Sequence, residues 1–333
     1  MYCQLDPSNH TTSHCARQSV RLNHWQGRQQ NKGDSFYEPS MYHNRTFSLA
    51  YSDGPYGMLL PPNFFDRNPG QPFRNISIGF QPEIGSVSTP SSNGLLKFLT
   101  ETEISQGYPH RNASGIVGDA WTFHNFLPWT TVLQSNESYD HVYAYFGPND
   151  TVSADDWNGA AQLAAHMQYQ NLCNGFISRL FKFTSAVIIW KTQSPWPSMR
   201  GFLYDWYLES SGMMTGARSA LWSPISLVLN LQSWQLILVN RRVRPMSCIH
   251  GKTIVQYSWI DIHGKVISFG GVYLHSDIVP AMSTNRLGFH HERLRWPKLC
   301  TYVCFLRLEG KGVCGEHISA TWYWLNDPAL GDP

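Results

Sequence analysis

The sequence predicts an α/β region followed by an all-β region, with the change near residue 224. Two observations carry this prediction: a capped helix that leads directly into a short apolar strand, and a later series of runs in which apolar and polar residues alternate. The length of 333 residues accommodates about two domains of ordinary size. We expect an extension over 1–47, an α/β domain over 48–224 and a β-sandwich over 225–333.

Residues 1–47 are polar and follow neither the helical nor the strand period. Such a segment is typical of a disordered or wrongly assigned extension. The first residues lack the basic start and apolar stretch of a signal peptide. Six N-x-S/T sequences, in contrast, favour a glycoprotein of the secretory or vacuolar route, so the sequence leaves the compartment open.

The helix of the α/β region is predicted to begin after Ser153. A serine at the N-cap with Asp156 three residues later forms a capping box, and acidic residues are favoured in a first turn. Apolar residues then recur at helical spacing from Trp157 to about Phe181. The apolar run 185–190 follows at once and predicts a strand buried on both faces in a parallel sheet.

Six runs in the last third of the chain have the period of half-buried strands. They cover 225–231, 234–240, 253–262, 265–274, 302–308 and 317–325. The uncharged stretch between Arg218 and Arg241 contains the first two. Because Pro224 interrupts this stretch and its apolar residues alternate, it predicts two strands joined by a turn, and no membrane span. Short strands at this spacing are typical of a sandwich of about 100 residues.

The composition argues against several classes of ligand. Lys plus Arg number 25 and Asp plus Glu 23, for a net charge of +2, so no basic surface for nucleic acid is expected. No P-loop, Rossmann fingerprint or G-x-S-x-G sequence is present, and we expect no cofactor. The 13 tryptophans in a weakly charged chain instead favour a ligand that stacks on rings.

Two groups of His and Cys could bind a metal, but neither has the paired ligand spacing of a zinc motif, so no metal is expected. They are Cys3, His10, His14 and Cys15, and His290, His291, Cys300 and Cys304. Cys300 and Cys304 would lie about 13 Å apart in a continuous strand, which excludes a bond between them there.

Five side chains are candidates for a functional site: Glu83, Trp121, His124, Trp190 and Trp196. Glu83 follows an apolar segment at a turn, where an ordinary surface carboxylate is the simplest interpretation, but catalytic groups of α/β barrels also lie at the carboxyl ends of strands. Each aromatic residue is either part of the buried core or a surface on which a sugar stacks.

The chain resembles glycoside hydrolase family 2 in several motifs that follow one another in the family's order over about 48–327. One of them is Gly79-Phe-Gln-Pro-Glu83-Ile-Gly85-Ser86. The others cover 53–57, 61–65, 121–124, 187–196, 200–205 and 318–325. The likeness is strongest to plant-type mannosylglycoprotein endo-β-mannosidases, followed by exo-β-glucosaminidases.

This resemblance implies a fold and an activity. The fold is the C-terminal portion of a (β/α)₈ TIM barrel followed by an immunoglobulin-like β-sandwich. The activity is retaining hydrolysis of an oligosaccharide, a β-mannoside or a β-glucosaminide. Glu83 takes the position of the nucleophile, and Trp190 that of the aromatic residue beside the innermost sugar. Trp196, Trp121 and His124 are expected to line the pocket.

The chain departs from the family before Glu83. A retaining glycosidase needs a second carboxyl group as acid/base, which the family places upstream of the nucleophile. The preceding acids, Asp6, Asp34, Glu38, Asp53 and Asp66, stand in no similar motif. We therefore expect a C-terminal fragment whose cut barrel is poorly soluble and inactive alone. The alternative is a non-catalytic carbohydrate-binding protein that has kept the fold.

Overall fold

The structure is a computed structural model that describes only part of the chain. It covers residues 47–48, 61–65, 77–78, 80–85, 89–108, 118–126, 153–182, 184–199, 202–247, 253–274, 278–287, 297, 299–300, 303–311 and 317–326. The predicted extension, apart from its last residue, and the motif at 53–57 lie outside these residues. So do His290 and His291.

The first half combines helices with short parallel strands. A 3₁₀ helix covers Pro61–Phe65. The helices are α1 (Ser92–Leu95), α2 (Glu101–Gly107), α3 (Asp119–Phe123), α4 (Ala154–Ile177) and α5 (Gly212–Leu221). The strands are β1 (Phe47–Ser48), β2 (Ser77–Ile78), β3 (Phe80–Ile84) and β4 (Ala186–Ile189), which pair in parallel as β1–β2 and β3–β4.

Helix α4 begins where the capping signal predicts. The Ser153 side chain accepts a hydrogen bond from the Asp156 amide, and the Asp156 side chain reaches back to the Ser153 amide. This reciprocal arrangement satisfies two amides that a helix start otherwise leaves unpaired. The helix ends at Ile177, four residues before the predicted end at Phe181, which adopts a positive φ of 66°.

Strand β4 was predicted to belong to a parallel sheet, and it pairs in parallel with β3. The expectation that β4 is buried on both faces is wrong. Val187 and Ile189 pack against a core cluster that contains Ile84, whereas Ile188 is 52% exposed on the opposite face. The reason is that, within the described residues, α4 and α5 contribute to the core on one face only.

Helix α5 was not expected from the sequence. It packs along α4 with its backbone almost in contact, because a Cβ added at Gly216 would lie 2.1 Å from the His166 carbonyl oxygen. The same holds at Gly212, where the distance to the Gln162 carbonyl oxygen would be 1.9 Å. Glycines spaced by one helical turn therefore set the distance between the two helices.

The second half is made of antiparallel sheets. The strands are β5 (Ile225–Asn230), β6 (Gln235–Asn240), β7 (Met246–Ser247), β8 (Thr253–Ile260), β9 (Val266–Leu274), β10 (Ile278–Val279), β11 (Ser283–Arg286), β12 (Val303–Lys311) and β13 (His317–Asn326). One sheet has the order β11-β6-β5, another β13-β12-β8-β9, and β7 pairs with β10. The six predicted strands are all present, with ends displaced by at most three residues.

The two larger sheets pack face to face over one core. Leu227 and Leu238 of one sheet are fully buried with Leu306 and Ile318 of the other. The stretch between Arg218 and Arg241 thus forms the end of a helix and two strands. Among the described residues, no helix has the length and apolar character needed to cross a bilayer.

Buried hydrogen bonds join α4 to this sandwich. Gln170 donates from Nε2 to the Trp322 carbonyl oxygen at 2.7 Å. The Tyr323 hydroxyl accepts from the Leu229 amide at 2.8 Å and from Asn174 Nδ2 at 3.4 Å. Burial raises the pKa of the Tyr323 hydroxyl, which therefore stays neutral. One tyrosine thus links a helix and both sheets.

The expectation about Cys300 and Cys304 is wrong, because the two residues form a disulfide. Strand β12 begins only at Val303, and the Cys300 amide donates to the Pro297 carbonyl oxygen in a turn. The two Cα atoms lie 6.1 Å apart. Because β12 begins after Cys300, the rise of a continuous strand does not apply between the two residues.

The packing of α4 on α5 yields a first prediction. Gly216→Ala forces the two helices apart, and we expect it to lower the free energy of unfolding by about 1–3 kcal/mol. Gly159→Ala is the matched control, because Gly159 also lies in a helix but a Cβ there meets nothing within 4 Å. That change should stabilise by about 0.5–1 kcal/mol. Urea unfolding of both variants measures the difference, and equal effects would contradict the packing argument.

His166 on α4 yields a prediction about pH. Burial lowers its pKa below the usual value, and its Nδ1 lies 2.8 Å from Thr215 Oγ1 on α5. In the unfolded chain the pKa of this histidine is about 6.5. At pH values between the lowered pKa and about 6.5, the unfolded chain therefore binds more protons than the folded protein. Stability should fall as the pH drops below about 6.5. Between pH 7.5 and 5, the melting temperature of His166→Gln should decrease less than that of the parent protein. An equal decrease in both would contradict the assignment of this pH dependence to His166.

Candidate functional site

Glu83 and Trp190 lie at the same edge of the β3–β4 pair. Glu83 is the fourth residue of β3, and Trp190 directly follows β4. The Trp190 amide donates to the Ile84 carbonyl oxygen at 2.8 Å, which continues the pairing past the end of β4. Because the strands are parallel, their carboxyl ends meet at this edge. Two residues that the sequence proposed separately are thereby brought close together.

Gly85 permits this close approach. A Cβ at this position would lie 2.2 Å from the Trp190 carbonyl oxygen and 3.2 Å from the Tyr169 hydroxyl. Only a residue without a side chain fits between the strand ends here. On the other side of Glu83, the buried Gln81 donates from Nε2 to the Glu83 carbonyl oxygen at 2.9 Å. The backbone on both sides of Glu83 is thus held in place.

The Trp190 indole is half-buried and has polar and aromatic neighbours. Its ring centroid lies 6.3 Å from that of Phe202 in an edge-on arrangement. The Lys191 Nζ lies 5.8 Å from the Trp190 centroid and 5.0 Å from the Phe202 centroid, within the range of a cation–π contact. The peptide bond between Trp190 and Lys191 is cis. The indole thus stands at the strand edge with its orientation restricted by neighbours.

The loop that follows β4 brings Trp196 to His124. Their rings stack at 5.6 Å with an interplanar angle of 22°, and His124 Nδ1 lies 2.7 Å from the Pro197 carbonyl oxygen. The Met199 amide donates to the His124 carbonyl oxygen at 2.7 Å. Both side chains are half-buried. The structure therefore joins these two candidates into one aromatic contact beyond Trp190.

Trp121 lies elsewhere, in the core of the helical region. Its side chain is 1% exposed, and its Nε1 donates to the Glu103 carbonyl oxygen at 3.1 Å. Its ring packs edge-on against Phe126 at 5.0 Å and Trp157 at 5.7 Å. Of the two interpretations open for Trp121, the structure favours the core residue.

Sequence reasoning missed three rings beside Trp196 and His124. Phe123 contacts Trp196 at 6.2 Å, Phe98 contacts His124 at 4.6 Å, and Tyr207 stacks on Phe98 at 6.4 Å. Phe123 lies within the motif at 121–124. Phe98 and Tyr207 carry no local signal, because their position depends on how distant segments pack.

Other reactive groups do not form a competing centre in the described residues. No cluster of three or more His, Cys, Asp or Glu side chains suited to a metal ion occurs there. Cys173 is fully buried in α4, and burial raises the pKa of its thiol to about 12, so it is not a nucleophile at neutral pH. The five acids that precede Glu83 lie outside the described residues.

Comparison with known proteins defines the fold first. The chain superposes on an exo-chitosanase from Amycolatopsis orientalis with a TM-score of 0.62 at 16% identity, over 82% of this chain and 30% of that one. It superposes on a β-D-mannosidase from Dictyoglomus thermophilum with a TM-score of 0.56, also at 16% identity, over 83% of this chain and 30% of that one. The fold is therefore that of a segment of such glycosidases.

Sequence comparison then identifies particular relatives. A mannosylglycoprotein endo-β-mannosidase from Lilium longiflorum is 27% identical over 246 residues, which cover 73% of this chain and 23% of the relative. An exo-β-D-glucosaminidase from Hypocrea jecorina is 24% identical over 281 residues, covering 82% and 29%. No protein-family model matches the chain. The resemblance predicted from the motifs is confirmed, and the chain spans less than a third of the length of these relatives.

The close approach at Gly85 yields a third prediction. Gly85→Ala should push the ends of β3 and β4 apart, because the contacted atom belongs to the backbone and cannot rotate away. We expect a loss of about 1–3 kcal/mol in unfolding free energy and an altered Trp190 environment in near-ultraviolet circular dichroism. In the control Gly271→Ala, the nearest atom would be 3.6 Å away, so both readouts should stay near those of the parent. Equal behaviour of the two variants would contradict this account.

Proposed function

We propose that the chain is part of a retaining β-glycoside hydrolase of β-mannosidase type, with Glu83 as the nucleophile and Trp190 as the surface on which the innermost sugar stacks. The placement of Glu83 and Trp190 at one edge of neighbouring parallel strands carries this proposal. In α/β barrels, the carboxyl edge of the strands is where catalytic groups lie. Trp196 and His124 extend the same edge, whereas Trp121 is left out of the site.

The proposed architecture follows from the same likeness. Residues 48–224 correspond to the closing part of a (β/α)₈ barrel, and 225–333 to an immunoglobulin-like sandwich. The parallel β3–β4 pair and the helices packed on it support the first assignment, and the two face-to-face antiparallel sheets support the second. In this proposal, further barrel elements pack against the face of β4 on which Ile188 is exposed.

The proposed chemistry assigns one step to Glu83. Its carboxylate attacks the anomeric carbon, the bond to the leaving oxygen breaks, and a glycosyl ester forms that water then hydrolyses. The hydrogen bond from Gln81 and the contact at Gly85 fix the backbone from which this carboxylate projects. Stacking on an indole favours the apolar face of a sugar ring. The acid/base that protonates the leaving oxygen comes, in this proposal, from outside the 333 residues.

Two alternatives remain tied to specific observations. The relatives named as exo-β-D-glucosaminidases make a β-glucosaminide the second candidate substrate. A non-catalytic carbohydrate-binding role is the alternative from another class, because no acid/base motif precedes Glu83 in the chain. Both alternatives, like the mannosidase hypothesis, place a sugar on the aromatic side chains at this edge. In the glucosaminidase, Glu83 attacks a different sugar, and in the binding protein it forms no bond to the sugar.

A mechanism-based label tests the nucleophile directly. A 2-deoxy-2-fluoro-β-mannosyl fluoride carries a leaving group that needs little protonation, so it can react without the acid/base. We expect a mass increase on the peptide that contains Glu83, and none in Glu83→Gln. Glu209→Gln is the matched control, since Glu209 pairs with Lys97 at the surface, and it should still be labelled.

Two outcomes of this experiment would overturn parts of the proposal. In the complete protein of which this chain is proposed to be a part, a label on another residue, or no label when that protein is folded by circular dichroism, would refute Glu83 as the nucleophile. Turnover of an aryl β-mannoside by the 333-residue chain would refute the expectation that the fragment is inactive. Turnover of an alkyl β-mannoside, whose leaving oxygen must be protonated, would refute the external acid/base. Faster labelling by a β-glucosaminyl fluoride with its second fluorine at C5, which keeps the 2-amino group, would favour the second substrate.

A further inference from the structure

Five rings from four segments form a continuous strip at the surface, which we call the aromatic strip: Phe123, Trp196, His124, Phe98 and Tyr207. Successive ring centroids lie 6.2, 5.6, 4.6 and 6.4 Å apart in that order. Phe98 follows α1, Phe123 and His124 end α3, Trp196 lies in the loop after β4, and Tyr207 lies in the next loop. Because the rings come from different segments, the packing of a single loop does not explain the row.

The strip is accessible to a ligand. Phe123 is 72% exposed, and the other four rings are half-buried. Two further apolar side chains next to Tyr207 in sequence, Trp206 and Leu208, are also exposed. Contiguous exposed apolar surface of this kind marks an interaction site.

The loop beside Tyr207 is held rigidly. The buried Asp205 accepts hydrogen bonds at Oδ1 from the Tyr207 amide at 2.8 Å and from the Glu209 amide at 2.9 Å. Leu208 between them adopts a φ of 67°, which is unfavourable for a residue with a branched side chain. Strained backbone that is fixed by several bonds is characteristic of ligand-binding loops.

The chain itself connects the strip to the edge that bears Glu83 and Trp190. Trp196 lies six positions after Trp190, so their Cα atoms are at most about 20 Å apart. The loop between them is anchored by the Tyr204 amide, which donates to the Thr192 carbonyl oxygen at 2.9 Å, and by the bond from Met199 to His124. The strip is therefore within about 20 Å of a sugar bound at Trp190.

The charges beside the strip favour a neutral ligand. At the Tyr207 end, Lys97 Nζ pairs with Glu209 Oε1 at 2.6 Å and lies 5.5 Å from the Tyr207 ring centroid. The two charges compensate each other, so neither an anionic polymer nor a cationic one gains from them. Paired polar groups next to ring faces suit the hydroxyls and apolar faces of sugars.

We propose that the aromatic strip binds the sugar units of an oligosaccharide beyond the one at Trp190, so that the site selects long glycans over single sugars. This inference rests on the proposed function, because it assumes a sugar at Trp190. The proposed ligand of the strip is a neutral glycan.

The test compares chain lengths on the 333-residue chain. Titration calorimetry with a β-1,4-linked mannotetraose and with methyl β-mannoside should give at least tenfold tighter binding of the tetramer. Phe123→Ala and Tyr207→Ala should each reduce this preference about three- to tenfold, the value expected for one stacked ring. Phe269→Ala, which removes an 80% exposed ring from β9, is the matched control and should leave the preference unchanged.

The outcomes separate this inference from the proposed function. Equal affinity for tetramer and monosaccharide, or an effect of Phe269→Ala as large as that of Phe123→Ala, would overturn the strip as a glycan site. If the tetramer is preferred and the strip variants lose that preference while the complete protein takes no label at Glu83, the strip stands and the nucleophile assignment fails. A labelled Glu83 without any preference for the tetramer would refute the strip and leave the nucleophile assignment intact.

Discussion

The described structure depends on helix α4 being buried along most of its length while it carries amide side chains. A buried amide needs hydrogen-bond partners, and four of these side chains find them outside α4. Asn158 accepts from Thr89 ahead of α1 at 2.5 Å, and Gln162 accepts from the first amide of α5 at 2.8 Å. Gln170 and Asn174 reach the last strand of the sandwich. The polar side chains of one helix thus fix the positions of both halves.

The geometry of the candidate functional site depends on the packing of α4. The core cluster that contains Ile84 also contains side chains of α4 and α5, so the helix pair holds the strand pair whose edge bears Glu83 and Trp190. The two loops beyond that edge are tied to each other through backbone hydrogen bonds. The candidate nucleophile, the indole beside it and the aromatic strip therefore form a series on one rigid support.

Local signals in the sequence are sufficient for α4 and for the sandwich strands, because a capping box and a period of two act within a few residues. They are insufficient where distant contacts decide. Helix α5 contains Gly212 and Gly216, which disfavour a helix in isolation and are explained only by the nearby α4 backbone. The motifs predict Glu83 and Trp190 as site candidates, and their proximity is found only in the structure. The motifs also predict Trp121 as a pocket residue, whereas tertiary packing places it in the core.

Edge strands have unpaired backbone groups that can recruit a strand from another molecule. Strand β13 is one edge of the four-stranded sheet, and Gln170 of α4 donates to its Trp322 carbonyl oxygen. That carbonyl already has a hydrogen-bond partner from the same chain. The bond that joins the helix to the sandwich therefore also occupies one acceptor of this strand.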